Sequence, residues 1–193
     1  MHSPNPVEEW FVPLSETHLT LRQAHSQLAA FGLKQKDVPL IIQLVENPKF
    51  DLPGIDLFHG AADLETHDFI HILLGRGLLI KDEAFVIGFT MGSTNRVSTT
   101  EERLFSLITR FVYPKGYRFS QEDLQVYRDA VRLGYVSDCK PLAEIDFKPY
   151  LDWPLGKIRQ DIGLEVDLLR AYYAIEARRY PEIQESTRNL VGF

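Results

Sequence analysis

Residues 64–83 read LETHDFIHILLGRGLLIKDE. Up to Leu74 the run is apolar with no breaker, which predicts a helix over about 61–74. Gly75-Arg76-Gly77 interrupts it, and glycine admits the positive φ that a chain reversal needs. A second apolar stretch predicts a helix over about 79–91, ending near Gly92-Ser93. Two apolar helices joined by a glycine break form a helical hairpin, a building unit of all-α domains.

Outward from this hairpin the pattern stays helical. Ser15 is placed to cap a helix running to Ala30, stopped by Gly32. Asp37 to Glu46 reads as a helix ended by Asn47-Pro48, and residues 47–60 read as a loop. Ser98 and Thr99, each three residues before a Glu, open a helix to about Val112. Ser120 with Asp123 opens another, to about Leu133, where Gly134 is read as the stop. Pro154 starts a short helix to Ile162 closed by Gly163, and a last helix spans about Val166 to Arg179. No Asn-Gly hairpin turn occurs, and residues 1–13 form an irregular lead. The expectation is one all-α domain over residues 1–193, with about seven to eight helices.

The chain has 193 residues, 45% hydrophobic and 25% charged, which is globular composition. Its net charge of −6 argues against a nucleic-acid partner, which needs a basic face to replace counterions. The single cysteine, Cys139, excludes an internal disulfide and a cysteine-based zinc finger. No targeting segment is visible, and no apolar run approaches the roughly 20 residues of a membrane span. The expected location is therefore cytoplasmic, with any membrane contact peripheral.

Chemistry concentrates in His67-Asp68-Phe69-Ile70-His71. On a helix the two imidazoles lie about 40° apart in azimuth and about 6 Å apart along the axis, so both rings reach one ion. Asp68 flanks the same face, within about 60° of His71, and is a third ligand or a general base. Glu83 is twelve residues past His71, which is about 18 Å on an unbroken helix. If the chain turns back at 74–77, Glu83 comes level with His71 and completes a site across the hairpin. An acidic pair at 82–83 also suits the first turn of a helix for its dipole alone. Phe69, Ile70, Ile72, Leu73 and Leu74 read as core, and Arg76 and Arg96 as solvated arginines. A thermolysin-type HExxH reading fails on the Asp and on the missing separate ligand helix. An HD-type metal phosphohydrolase, pairing His67-Asp68 with His25 and with Asp123 or Asp138, is a rival.

The run His67-Asp68-x-x-His71-x-Leu73-Leu74-Gly75, with Glu83 after eleven intervening residues, resembles the signature of the coenzyme Q (ubiquinone) biosynthesis protein 4 family. Trp153-Pro154-Leu155-x-x-Ile158-Arg159-x-x-Ile162-Gly163 is similar to that family's closing helix. The chain departs from the family pattern at Asp82, where Gly is common, and at Ala84 to Ile87, where a Trp-Phe-Glu cluster is usual. The resemblance implies an all-α fold and a divalent metal held by His67, Asp68, His71 and Glu83. Zinc is the first candidate, with iron, manganese or magnesium as alternatives. It implies catalytic roles for Asp68 and Glu83 in oxidative decarboxylation of a polyprenylated aromatic quinone precursor. It also implies other quinone-biosynthesis proteins as partners and a peripheral place on the inner face of a bacterial cytoplasmic membrane. The alternative within the same resemblance is a non-catalytic scaffold that binds an isoprenoid lipid. The apolar helices around the motif would then line a tail channel, or simply pack as core.

Overall fold

The computed structural model describes residues 10–30, 64–96, 106, 109 and 118–188. Among them the chain is helical: α1 (Leu21–Ala30), α2 (Leu64–Leu74), α3 (Ile80–Ser93), α4 (Gln121–Val136), α5 (Leu155–Asp161), α6 (Val166–Arg179) and α7 (Gln184–Thr187). Two short 3-10 turns, Leu142–Glu144 and Lys148–Tyr150, lie between α4 and α5. The helices expected over 37–46 and 98–112 and the loop over 47–60 lie outside the described residues, apart from buried Ser106 and Thr109. Among the described residues no helix is long and apolar enough to cross a membrane.

The hydrophobic side chains pack as one cluster, and α3 runs through it, buried at every position from Lys81 to Ser93. A helix apolar on all sides can only be central. The expected core residues Phe69, Ile70, Ile72, Leu73 and Leu74 are all in that cluster. Phe85 on α3 packs against Tyr172 and Tyr173 of α6, with ring centroids 5.3 and 5.2 Å away.

Two boundaries differ from the sequence expectation. Ser15 does not cap the first helix. Instead the amides of Leu21 and Arg22 donate to the carbonyls of Trp153 and Leu151, and Thr20 pairs with Pro154. Thr20 and Gln23 exchange side-chain and backbone hydrogen bonds, so the helix opens at Leu21. Gly134 does not stop α4, which continues to Val136. A Cβ on Gly134 would run into the carbonyl of Phe89, and one on Gly92 into that of Val131. These glycines allow α3 and α4 to approach backbone to backbone, so Gly134 serves helix packing.

The helices on either side of the glycine break end and begin as expected. Gly75 takes φ +70°. The amides of Arg76 and Gly75 donate to the carbonyls of His71 and Ile72, the paired bonds of a Schellman cap. Ser120 and Asp123 form the expected capping box at α4. Gly163, at φ +74°, follows α5.

Candidate metal centre

One turn apart on α2, His67 and His71 stand edge to face with ring centroids 4.6 Å apart. The reversal at Gly75 brings the first turn of α3 back beside them, and Glu83 points into the gap. Its Oε2 lies 3.5 Å from His67 Nε2 and its Oε1 lies 3.2 Å from His71 Nε2. One ligand atom from each of the three residues falls within 4.8 Å of the others. Around a tetrahedral ion with bonds near 2.0 Å, neighbouring ligand atoms are about 3.3 Å apart. The two imidazole–carboxylate separations are close to that edge length.

The donor chemistry fits a divalent cation. His71 Nδ1 lies 2.7 Å from the carbonyl oxygen of Gly77. A carbonyl only accepts, so Nδ1 carries a proton, and Nε2 is the nitrogen that faces the cluster. His71 Nε2 and Glu83 Oε2 are buried without a hydrogen-bond partner of proper geometry. Buried polar atoms are nearly always satisfied, and a cation between them would satisfy both.

Electrostatics point the same way. Burial pushes the His67 imidazole down to about 4, against the pull of Glu83, so it is a neutral ligand at neutral pH. Burial also disfavours charge on His71, but the Glu83 carboxylate outweighs it and holds that imidazole above its ordinary value. Glu83 itself feels burial, yet His71 and His67 hold its carboxyl below the usual range. The carboxylate is thus ionised inside the core, opposite rings that can exchange a proton for a metal.

Asp68 is not brought into this group. Its Oδ2 lies 3.2 Å from His25 Nε2 on α1, in a half-buried pair. The reason is azimuthal: at about 100° from His67 on the helix, the side chain faces the neighbouring helix. The pairing raises the pKa of His25 above its ordinary value, chiefly through the Asp68 hydrogen bond. The acids available to a phosphohydrolase lie elsewhere. Asp123 accepts from Ser120 and from Lys81 Nζ at 3.0 Å, and Asp138 is exposed. Neither joins a metal-holding group among the described residues.

Around the centre sits a second charged group that the sequence reading missed. Arg96 is solvated as expected, but Arg76 is fully buried. Its guanidinium lies between the rings of Phe85 and Tyr173, 4.1 Å from each centroid. It donates to both oxygens of Glu176 at 3.1 and 2.5 Å, and Asp82 is 3.8 Å away. Asp82, the neighbour of Glu83, accepts from the Leu79 amide and from Arg188. Arg159 donates to the carbonyls of Ile72 and Leu73, and the Tyr173 hydroxyl donates to that of Leu74. The open carbonyl end of α2 is therefore closed by protein donors. The signal for this group was present: an arginine between two glycines, inside an apolar run, needs a buried acid. Nothing local says which acid.

Compared with protein-family models, curated proteins and solved structures, the chain finds no match in any of the three.

Proposed function

We propose that this chain is a metal-binding protein of ubiquinone-type quinone biosynthesis, with His67, His71 and Glu83 holding one divalent cation beside a prenylated aromatic precursor. The observation that carries the metal half of this reading is the convergence of two imidazoles and one ionised carboxylate, with orphaned buried lone pairs, across a glycine-broken hairpin. The substrate class comes from the resemblance of the HDxxH-x11-E run to the coenzyme Q biosynthesis protein 4 family. Bound there, the metal would supply Lewis-acid polarisation of a carboxylate or phenolate oxygen. Three protein ligands leave positions open for such an oxygen, and His67, 13% exposed, marks the side from which it would enter. Glu83, ionised between the two imidazoles, would serve as a ligand, and Asp68 sits one residue outside the ligand set, paired with His25. The reaction this reading brings is replacement of the ring carboxyl by a hydroxyl, with release of carbon dioxide and with an oxygen-atom-donating oxidant as co-substrate, among quinone-biosynthesis partners at a membrane surface. Elemental analysis tests the site: purified protein should carry close to one zinc, iron or manganese per chain, and a His67→Ala/His71→Ala double variant close to none. Equal, near-zero metal in both would sink it.

A second reading, a non-catalytic isoprenoid-lipid scaffold, is favoured by burial. His71 and Glu83 are 0% and 3% exposed, as in a centre that braces a fold. Head-group conversion by the purified protein separates the two: turnover that Glu83→Ala abolishes would select the enzyme, and no turnover by metal-loaded wild type would select the scaffold.

A further inference from the structure

The three ligand residues do not set their own geometry. His71 is oriented by the Gly77 carbonyl, and Glu83 by the first turn of α3. Both supports meet a single side chain that arrives from the far end of the described chain. Arg188, 8% exposed just after α7, donates to Asp82 Oδ2. That same oxygen accepts the Leu79 amide and so closes the N-terminus of α3, one residue before Glu83. The Arg188 guanidinium also lies against Gly77, where a Cβ would collide with its Nη2 and would come within 2.5 Å of the Trp10 carbonyl. The Gly77 peptide is thus wedged between Arg188 and the Trp10 backbone, with its carbonyl turned to His71. Behind it, Ser186 donates to Glu176, the partner of Arg76, which ties the C-terminal turn to the same buried group.

We propose that Arg188 is a positioning residue of the metal centre: held by Asp82 and seated on Gly77, it fixes the carbonyl that orients His71 and the turn that presents Glu83. This rests on the metal reading above. Partners that orient metal ligands commonly contribute 10- to 100-fold in affinity, as an order-of-magnitude range. A guanidinium is suited to the task, because it keeps its charge when buried and carries several donors in one rigid plane.

The test compares wild type, Arg188→Met, Arg188→Lys and Gly134→Ala. The last is a control that strains the α3–α4 contact without touching the network. Cobalt(II) serves as probe, with affinity and visible d–d absorption as readouts. Arg188→Met should bind about 10- to 100-fold more weakly with an altered band, Arg188→Lys should recover part of both, and Gly134→Ala should keep the wild-type values despite a lower melting temperature. A second readout needs no metal: long-range proton–nitrogen spectra of the imidazoles at pH 8. Wild type should show His71 as the Nδ1–H tautomer, and Arg188→Met should lose that preference. Wild-type affinity, band and tautomer in Arg188→Met would overturn the proposal. If wild type takes up no cobalt, the metal reading fails, and the tautomer comparison alone decides the positioning role. If Arg188→Met does not fold, Arg188→Lys carries both comparisons against wild type.

Discussion

Asp82 and Glu83 are adjacent, both buried in the first turn of α3, yet they end in opposite circumstances. Asp82 faces two arginines, and with Glu176 it balances them: two guanidinium charges against two carboxylates. Glu83 faces two imidazoles, groups whose charge is conditional; each acid leaves one buried oxygen without a hydrogen bond, but that of Asp82 lies 3.8 Å from the permanently charged Arg76 guanidinium and that of Glu83 lies 3.5 Å from His67. The first group is balanced by protein charges alone. The second is complete only with a proton or a cation. About 100° of helix rotation between neighbouring residues sends one acid to the arginines and the other to the imidazoles.

The widest separation between the two groups should come from breaking the closed one. Glu176→Ala strands Arg76 in the core with Asp82 3.8 Å away and removes the acceptor of Ser186. Removing one partner of a buried pair costs about 3–5 kcal/mol, and urea denaturation should show that loss. A cost below about 1 kcal/mol would mean that the group does not hold the hairpin. Next comes metal removal. With metal at a hundred times its dissociation constant, binding adds about 2.7 kcal/mol to stability. A chelator should therefore lower the melting temperature of wild type and leave that of His67→Ala/His71→Ala unmoved. The smallest effect is expected at the residue the structure turns away. Asp68→Asn breaks a half-buried pair with His25, so stability should change by no more than about 1 kcal/mol. Its metal content should stay at the wild-type level. Loss of metal in Asp68→Asn would return that residue to the ligand set, as the family resemblance has it.

Much of the fold was legible because its cues are local. The Gly75 reversal, the Ser120–Asp123 box and the span Val166–Arg179 follow from residues within a few positions of each boundary. The start of α1 was not legible, because the amides of Leu21 and Arg22 are claimed by a segment some 130 positions away, a separation that the Arg22–Asp152 pair beside it also spans. Gly134 carried two meanings, helix stop or close approach, and only the neighbouring helix selects between them. At the site, the histidine spacing and the glycine break placed His67, His71 and Glu83 in one group. Asp68 lay close to the same face by azimuth, and its partner His25 comes from another helix.

By itself the sequence determined the helical class and the glycine-broken hairpin, and it offered four residues, His67, Asp68, His71 and Glu83, for one site, of which the structure brings three together. Period, capping and glycine φ act over one or two turns. Only the tertiary structure decided which charges are satisfied. Arg76 is a surface residue by type and a buried one by placement, and its partners Glu176 and Asp82 come from α6 and the start of α3. Burial energies depend on what closes the low-dielectric space around a charge, and that is a property of contacts between segments, which no local pattern encodes.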